Sequence, residues 1–164
     1  MQDNATKILF VCHGNICRSP MAEFVMKKMV SDAAEECGGR TFEIASAATS
    51  TEEIGNPVYP PAMRMLARHG IDCSGKTARQ MTQRDYEYYD YIVLMDSNNL
   101  RNLRWILPRE IYEKECAGNG KVSLLMDWVG KPRDVADPWY TGDFTATWND
   151  VNEGGRALLA ALLK

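Results

Sequence analysis

Short apolar runs alternate with amphipathic helical stretches along this chain, and that order leaves few folds open. Residues 7–12 carry Ile8, Leu9, Phe10 and Val11 without a polar break, the pattern of a strand buried on both faces. A helix is expected directly afterwards, with Ser19 as N-cap, Pro20 at its start and Met21, Phe24, Val25 and Met29 on one face. Gly38 and Gly39 end it. A second strand is expected over 41–47 and a second helix from about Pro61 to His69, with Gly70 as its stop. A third strand at 91–95, helical stretches at 98–105 and 108–115, a fourth strand at 122–126 and a closing helix at 144–163 complete the series. This alternation implies right-handed crossovers and an α/β fold: a doubly wound, four-stranded parallel sheet with helices on both faces, a flavodoxin-like three-layer sandwich. In such a sheet ligands bind beyond the carboxyl ends of the strands.

At 164 residues, one domain spanning 1–164 is expected. The net charge is −3 and the basic residues are scattered, which argues against a nucleic-acid or membrane-surface partner. Residues 1–7 lead into only five apolar positions, too few for a signal peptide, and the apolar run at 157–163 is far short of the ~20 residues that cross a bilayer. Five cysteines with no export signal point to a reducing, cytoplasmic setting rather than a disulfide framework. With only His13 and His69 as histidines and no Cys-x-x-Cys pair, no metal site is expected.

The chemistry lies in Cys12-His13-Gly14-Asn15-Ile16-Cys17-Arg18-Ser19, between the first strand and the first helix. A loop there aims backbone N–H groups and the positive end of a helix dipole at an anion, and Gly14 and Asn15 suit positive φ. It lacks the Gly-Lys-Ser/Thr ending of a nucleotide-binding loop. A cysteine at a helix start, beside a guanidinium, is instead the setting in which a nucleophilic thiolate forms, and Ser19 can donate to it. Two unit charges at 4 Å repel by about 4 kcal/mol at an effective dielectric of ~20, so a thiolate meets a phosphate dianion only if that charge is cancelled. Arg18 can do this with a bidentate fork. A phenolate leaves poorly without a proton, which calls for an acid at the pocket edge. Asp137 in Ala136-Asp137-Pro138-Trp139-Tyr140 is the candidate; read alone, Asp-Pro marks a turn.

With the loop and Asp137-Pro138 in hand, the chain resembles the low-molecular-weight protein-tyrosine phosphatases over nearly its whole length. The likeness also runs through Ser46-Ala47-Ala48-Thr49-Ser50, His69-Gly70-Ile71, Ala78-Arg79-Gln80 and Met95-Asp96. It implies hydrolysis of protein phosphotyrosine through a phosphocysteine, with Cys12 as nucleophile, Arg18 as phosphate clamp, Ser19 as donor to the thiolate and Asp137 as acid, then base. It implies no cofactor or metal, with phosphotyrosine proteins or peptides as partners and inorganic phosphate as product and inhibitor. His13, Gly14, Asn15, Ile16, Cys17, Ser19, Glu52, Glu53, Trp139 and Tyr140 are the implied substrate-binding set. Asn15 is expected to hold the loop through Ser46 and His69, although His69 on its own reads as a helix-end histidine. Glu52 and Glu53 depart from the family's usual wall, which often has an aromatic residue followed by a polar one, and give one acidic wall facing an aromatic one.

Three alternatives stand beside this reading. Arsenate reduction on the same scaffold needs a relay of close cysteines, which Cys37, Cys73 and Cys116 do not form in sequence. Relatives that dephosphorylate arginine resemble this chain but carry threonine where Ile16 stands. A phosphate-binding module without turnover would not need Cys12, Arg18 and Asp137 together.

Overall fold

The computed structural model describes residues 5–164, so the part of the leader reading that falls on residues 1–4 lies outside the described residues. Four parallel strands form one sheet in the order β2-β1-β3-β4: β1 (Thr6–Cys12), β2 (Phe42–Ala48), β3 (Tyr91–Leu94) and β4 (Val122–Leu124). Because β2 and β3 flank β1, the chain winds away from β1 in both directions and leaves a crevice at its carboxyl end. Cys12 is the last residue of β1, opposite Ala48 at the end of β2.

Alternation along β1 divides the core. Ile8, Phe10 and Cys12 face one layer with Met21, Val25 and Met26 of α1 (Arg18–Asp32), Leu66 of α3 (Pro60–Arg68) and Val151 and Leu158 of α8 (Phe144–Leu162). Between α1 and α3 lies the short α2 (Ala34–Cys37). Leu9 and Val11 face the opposite layer with Tyr86 of α4 (Gln83–Tyr88), Leu103 after α5 (Ser97–Asn102), and Ile111 and Tyr112 of α6 (Arg109–Cys116) at its edge. The doubly wound sandwich expected from the alternation is the observed fold.

Several boundaries differ for physical reasons. The first helix is capped by Cys17, not Ser19, whose hydroxyl is engaged inside the loop. The apolar stretch at 122–126 is strand only to Leu124; Leu125 and Met126 continue as a buried 3₁₀ turn, and Asp127 accepts from the Leu124 N–H. Helix α4 has too short an apolar face to stand out, yet a Thr82–Asp85 capping box starts it. Between β4 and α8, a short turn of helix, α7 (Pro138–Thr141), begins at Asp137.

Candidate active site

The loop from Cys12 to Arg18 is fastened at both ends. Thr49 N–H donates to the Cys12 carbonyl at 2.9 Å, Ser50 donates to the His13 carbonyl through N–H and hydroxyl, and Tyr59 N–H donates to the Ile16 carbonyl at 2.9 Å. Of Gly14 and Asn15, only Asn15 takes positive φ, at 60°, and it is the only non-glycine residue to do so among the described residues. Gly14 serves a different need: a Cβ there would stand 3.3 Å from Glu53 Cγ, so its absence lets Glu53 lie over the loop.

That conformation turns the Asn15 N–H to Cys12 Sγ at 3.3 Å, while Ser19 Oγ sits 3.0 Å from the same sulfur. The Asn15 side chain donates to Ser19 Oγ at 2.8 Å and Ser46 Oγ at 2.9 Å and accepts from the Arg79 N–H at 3.2 Å. The expected Asn15–Ser46 contact is therefore present. The expected Asn15–His69 contact is not: His69 ends α3 and stacks on Trp148, ring centroids 3.8 Å apart, and Lys76 and Glu23 occupy the space around Ser46.

Arg18 is 2 % exposed. Its Nη1 donates to Asp96 at 2.6 Å and to the Val135 carbonyl at 2.9 Å, and its Nη2 lies 3.4 Å from an Asp137 carboxylate oxygen. Burial works against the guanidinium charge, but Cys12, Asp96 and Asp137 outweigh it and hold Arg18 above its ordinary value. Burial pushes the Cys17 thiol up, and Cys12 and Asp137 add to the effect, so Cys17 stays a neutral thiol. Asp137 caps α7, its other oxygen accepting the Trp139 N–H at 3.0 Å, and Pro138 starts that turn.

One cavity joins these groups. Cys12, His13, Gly14, Ile16, Cys17, Arg18, Glu52, Glu53, Asp137, Trp139 and Tyr140 line it, whereas Asn15 and Ser19 lie buried beneath. Trp139 packs on Tyr59 at 4.9 Å between ring centroids, giving an aromatic wall, and the Glu52 carboxylate meets His13 Nε2 at 3.0 Å across the mouth. Asp96 and Glu23 have no role in the sequence reading. The signal for Asp96 is its Asx start to α5, where it accepts from Asn99 N–H; for Glu23 it is a lone carboxylate on a helical face otherwise apolar.

Comparison with known proteins agrees with this geometry. The family model described as low molecular weight phosphotyrosine protein phosphatase matches residues 7–164. Low molecular weight protein-tyrosine-phosphatase YfkJ of Bacillus subtilis is 35 % identical over 159 residues, 96 % of each chain, and its crystal structure superposes with a TM-score of 0.83 over 99 % of this chain and 97 % of that one. Human low molecular weight phosphotyrosine protein phosphatase is 41 % identical over 145 residues, 87 % of this chain and 86 % of that one. The crystal structure of a Drosophila arginine phosphatase matches at a TM-score of 0.80 and 26 % identity, covering 96 % of this chain and 98 % of that one. With the model match running from β1 to the last residue, the chain belongs to the low molecular weight phosphotyrosine protein phosphatase family.

Proposed function

We propose that this phosphoric monoester hydrolase acts on phosphotyrosine in proteins or peptides, as a single catalytic domain, by way of a phosphocysteine on Cys12. One observation carries the reading: Cys12 and Arg18, from one loop, and Asp137, more than a hundred residues later in the chain, line one cavity at the switch point of the sheet. The phosphate enters over the loop, where backbone N–H groups and Arg18 cancel its charge, and Arg18 exchanges its contact with Asp137 for phosphate oxygens. Asp96 and the Val135 carbonyl keep Nη1 fixed meanwhile. Cys12 Sγ attacks phosphorus, the bond to the phenolic oxygen breaks, and Asp137 gives that oxygen its proton. Asp137, now a carboxylate, then takes a proton from water, whose oxygen attacks phosphorus and expels the Cys12 thiolate; inorganic phosphate leaves.

Ile16 favours a phenyl ring over the guanidino group of phosphoarginine, because it offers apolar surface against Tyr59 and Phe144. All five cysteines are free thiols, which supports a cytoplasmic setting; among the described residues no helix is long and apolar enough to cross a membrane. Steady-state rates on a phosphotyrosine peptide, a phosphoserine peptide and phosphoarginine, measured side by side for wild type and Cys12→Ser, test the proposal. Phosphotyrosine turnover should dominate and vanish in the variant. Preference for phosphoarginine, or turnover surviving without the thiol, would overturn it.

A further inference from the structure

Beneath the pocket runs a buried polar chain that the steps above leave without a task. Glu23, only 5 % exposed on α1, accepts the Ser46 hydroxyl on Oε1 at 2.5 Å and Lys27 Nζ on Oε2 at 2.6 Å. Lys76 Nζ stands 3.7 Å from Oε1 and donates to the Ser46 carbonyl at 2.9 Å. Ser46 Oγ accepts from Asn15 Nδ2, which also reaches Ser19 Oγ, and that oxygen lies 3.0 Å from Cys12 Sγ.

Every hydrogen in this chain but that of Ser19 has one place to go, and Ser19 has a nearer and a farther acceptor. A carboxylate only accepts, so the Ser46 hydroxyl must donate to Glu23 and present its lone pairs to Asn15. The Asn15 amide cannot turn over, because its Oδ1 is held by the Arg79 N–H. Both hydrogens of Nδ2 are then spent on Ser46 and Ser19. Ser19 Oγ is thereby an acceptor toward Asn15, and its own hydrogen is left for Cys12 Sγ, the Ala47 carbonyl at 3.4 Å being the more distant choice.

We propose that Glu23, held between Lys27 and Lys76, is a positioning residue that sets the direction of this chain so that the Ser19 O–H points at the Cys12 sulfur. The proposal rests on Cys12 being the nucleophile. It gives the ion pairs around Glu23 a task in the reaction: they hold a proton acceptor at the far end of a chain whose near end stabilises a thiolate.

Glu23→Gln keeps the shape and changes the polarity. Lys27 claims the amide oxygen, which turns the amide N–H₂ toward Ser46; the Ser46 hydrogen then confronts Asn15 and disturbs the bond to Ser19. Removing the Ser46 hydroxyl as well removes the conflict. The readout is the rate of Cys12 alkylation by iodoacetate against pH, without substrate, with urea unfolding of each variant as a control. Glu23→Gln should slow alkylation at pH 6 about tenfold and displace the profile to higher pH, as for loss of one charge-assisted hydrogen bond. Ser19→Ala should do the same, and combining the two should add nothing. The double variant Glu23→Gln/Ser46→Ala should recover the rate of Ser46→Ala alone. An unmoved profile in folded Glu23→Gln, or additive effects with Ser19→Ala, would overturn the proposal. Should Glu23→Gln not fold, a Lys76→Met profile displaced in the same direction supports it, and an unmoved one overturns it. These outcomes are separate from loss of the reaction scheme itself, which turnover by Cys12→Ser reports.

Discussion

At Asp137 the chemistry turns on how much the leaving oxygen needs a proton. Asp137→Asn should slow hydrolysis of phenyl phosphate or phosphotyrosine by roughly 10²–10⁴-fold, while an ester of an acidic phenol suffers less in the first step. Rates on a series of phenols check this; an equal, small loss on every ester, with Asp96→Asn or Asp134→Asn giving the graded pattern instead, would move the acid elsewhere. Asp134 already caps Ser97 through two contacts, and Asp96 is bound to Arg18, so neither is as free to turn to a substrate. Arg18→Lys should weaken inhibition by inorganic phosphate about tenfold or more, since an ammonium cannot hold Asp96, the Val135 carbonyl and two phosphate oxygens at once. The loop motif made Cys12, Arg18 and Ser19 legible before any fold was known. His69 was misplaced because sequence neighbours do not say which side of a helix end faces the loop, and the residue beside Ser46 is Lys76.

Among the elements, α8 shows why two glycines stand in the middle of a helix. A Cβ on Gly154 would lie 2.4 Å from Leu125 Cγ, against the 3₁₀ turn that follows β4, whereas one on Gly155 would meet the flexible end of Met29 at 3.2 Å. Gly154→Ala should destabilise the fold by about 1–3 kcal/mol through overpacking, more than the ~1 kcal/mol a helix gains from alanine. Gly155→Ala should be neutral or stabilising. Urea midpoints decide between them. On the other face, Tyr86 of α4 donates to the buried Glu115 of α6, which also accepts the Lys121 and Val122 N–H groups at the start of β4. Burial and the Glu115 carboxylate push the Tyr86 phenol up to about 12. The unfolded tyrosine ionises near 10, so this contribution to stability is complete below pH 10 and is lost as pH rises from about 10 to 12. Stability measured across that window should fall less steeply in Tyr86→Phe. Strands were legible because apolar runs of strand length have no other home in such a chain; α4 and the 3₁₀ turn at Leu125–Val129 were not, because caps and tertiary packing rather than periodicity define them.

For the molecule as a whole, the doubly wound topology does the gathering. Cys12 ends β1, Asp96 follows β3 and Asp137 follows β4, so residues 125 positions apart meet at one sheet edge because parallel strands all finish on the same side. That convergence was legible from strand–helix alternation; the buried link from Glu23 to the sulfur was not, since it depends on where α1 faces β2. The most direct test of the account is to mix Asp137→Asn with an activated aryl phosphate, whose leaving oxygen needs no proton, quench in acid within one turnover, and map the phosphate by mass. With its base removed, the variant should accumulate phosphate on Cys12 and on no other residue. Phosphate found on another side chain, or normal turnover with none on Cys12 at any time, would contradict it.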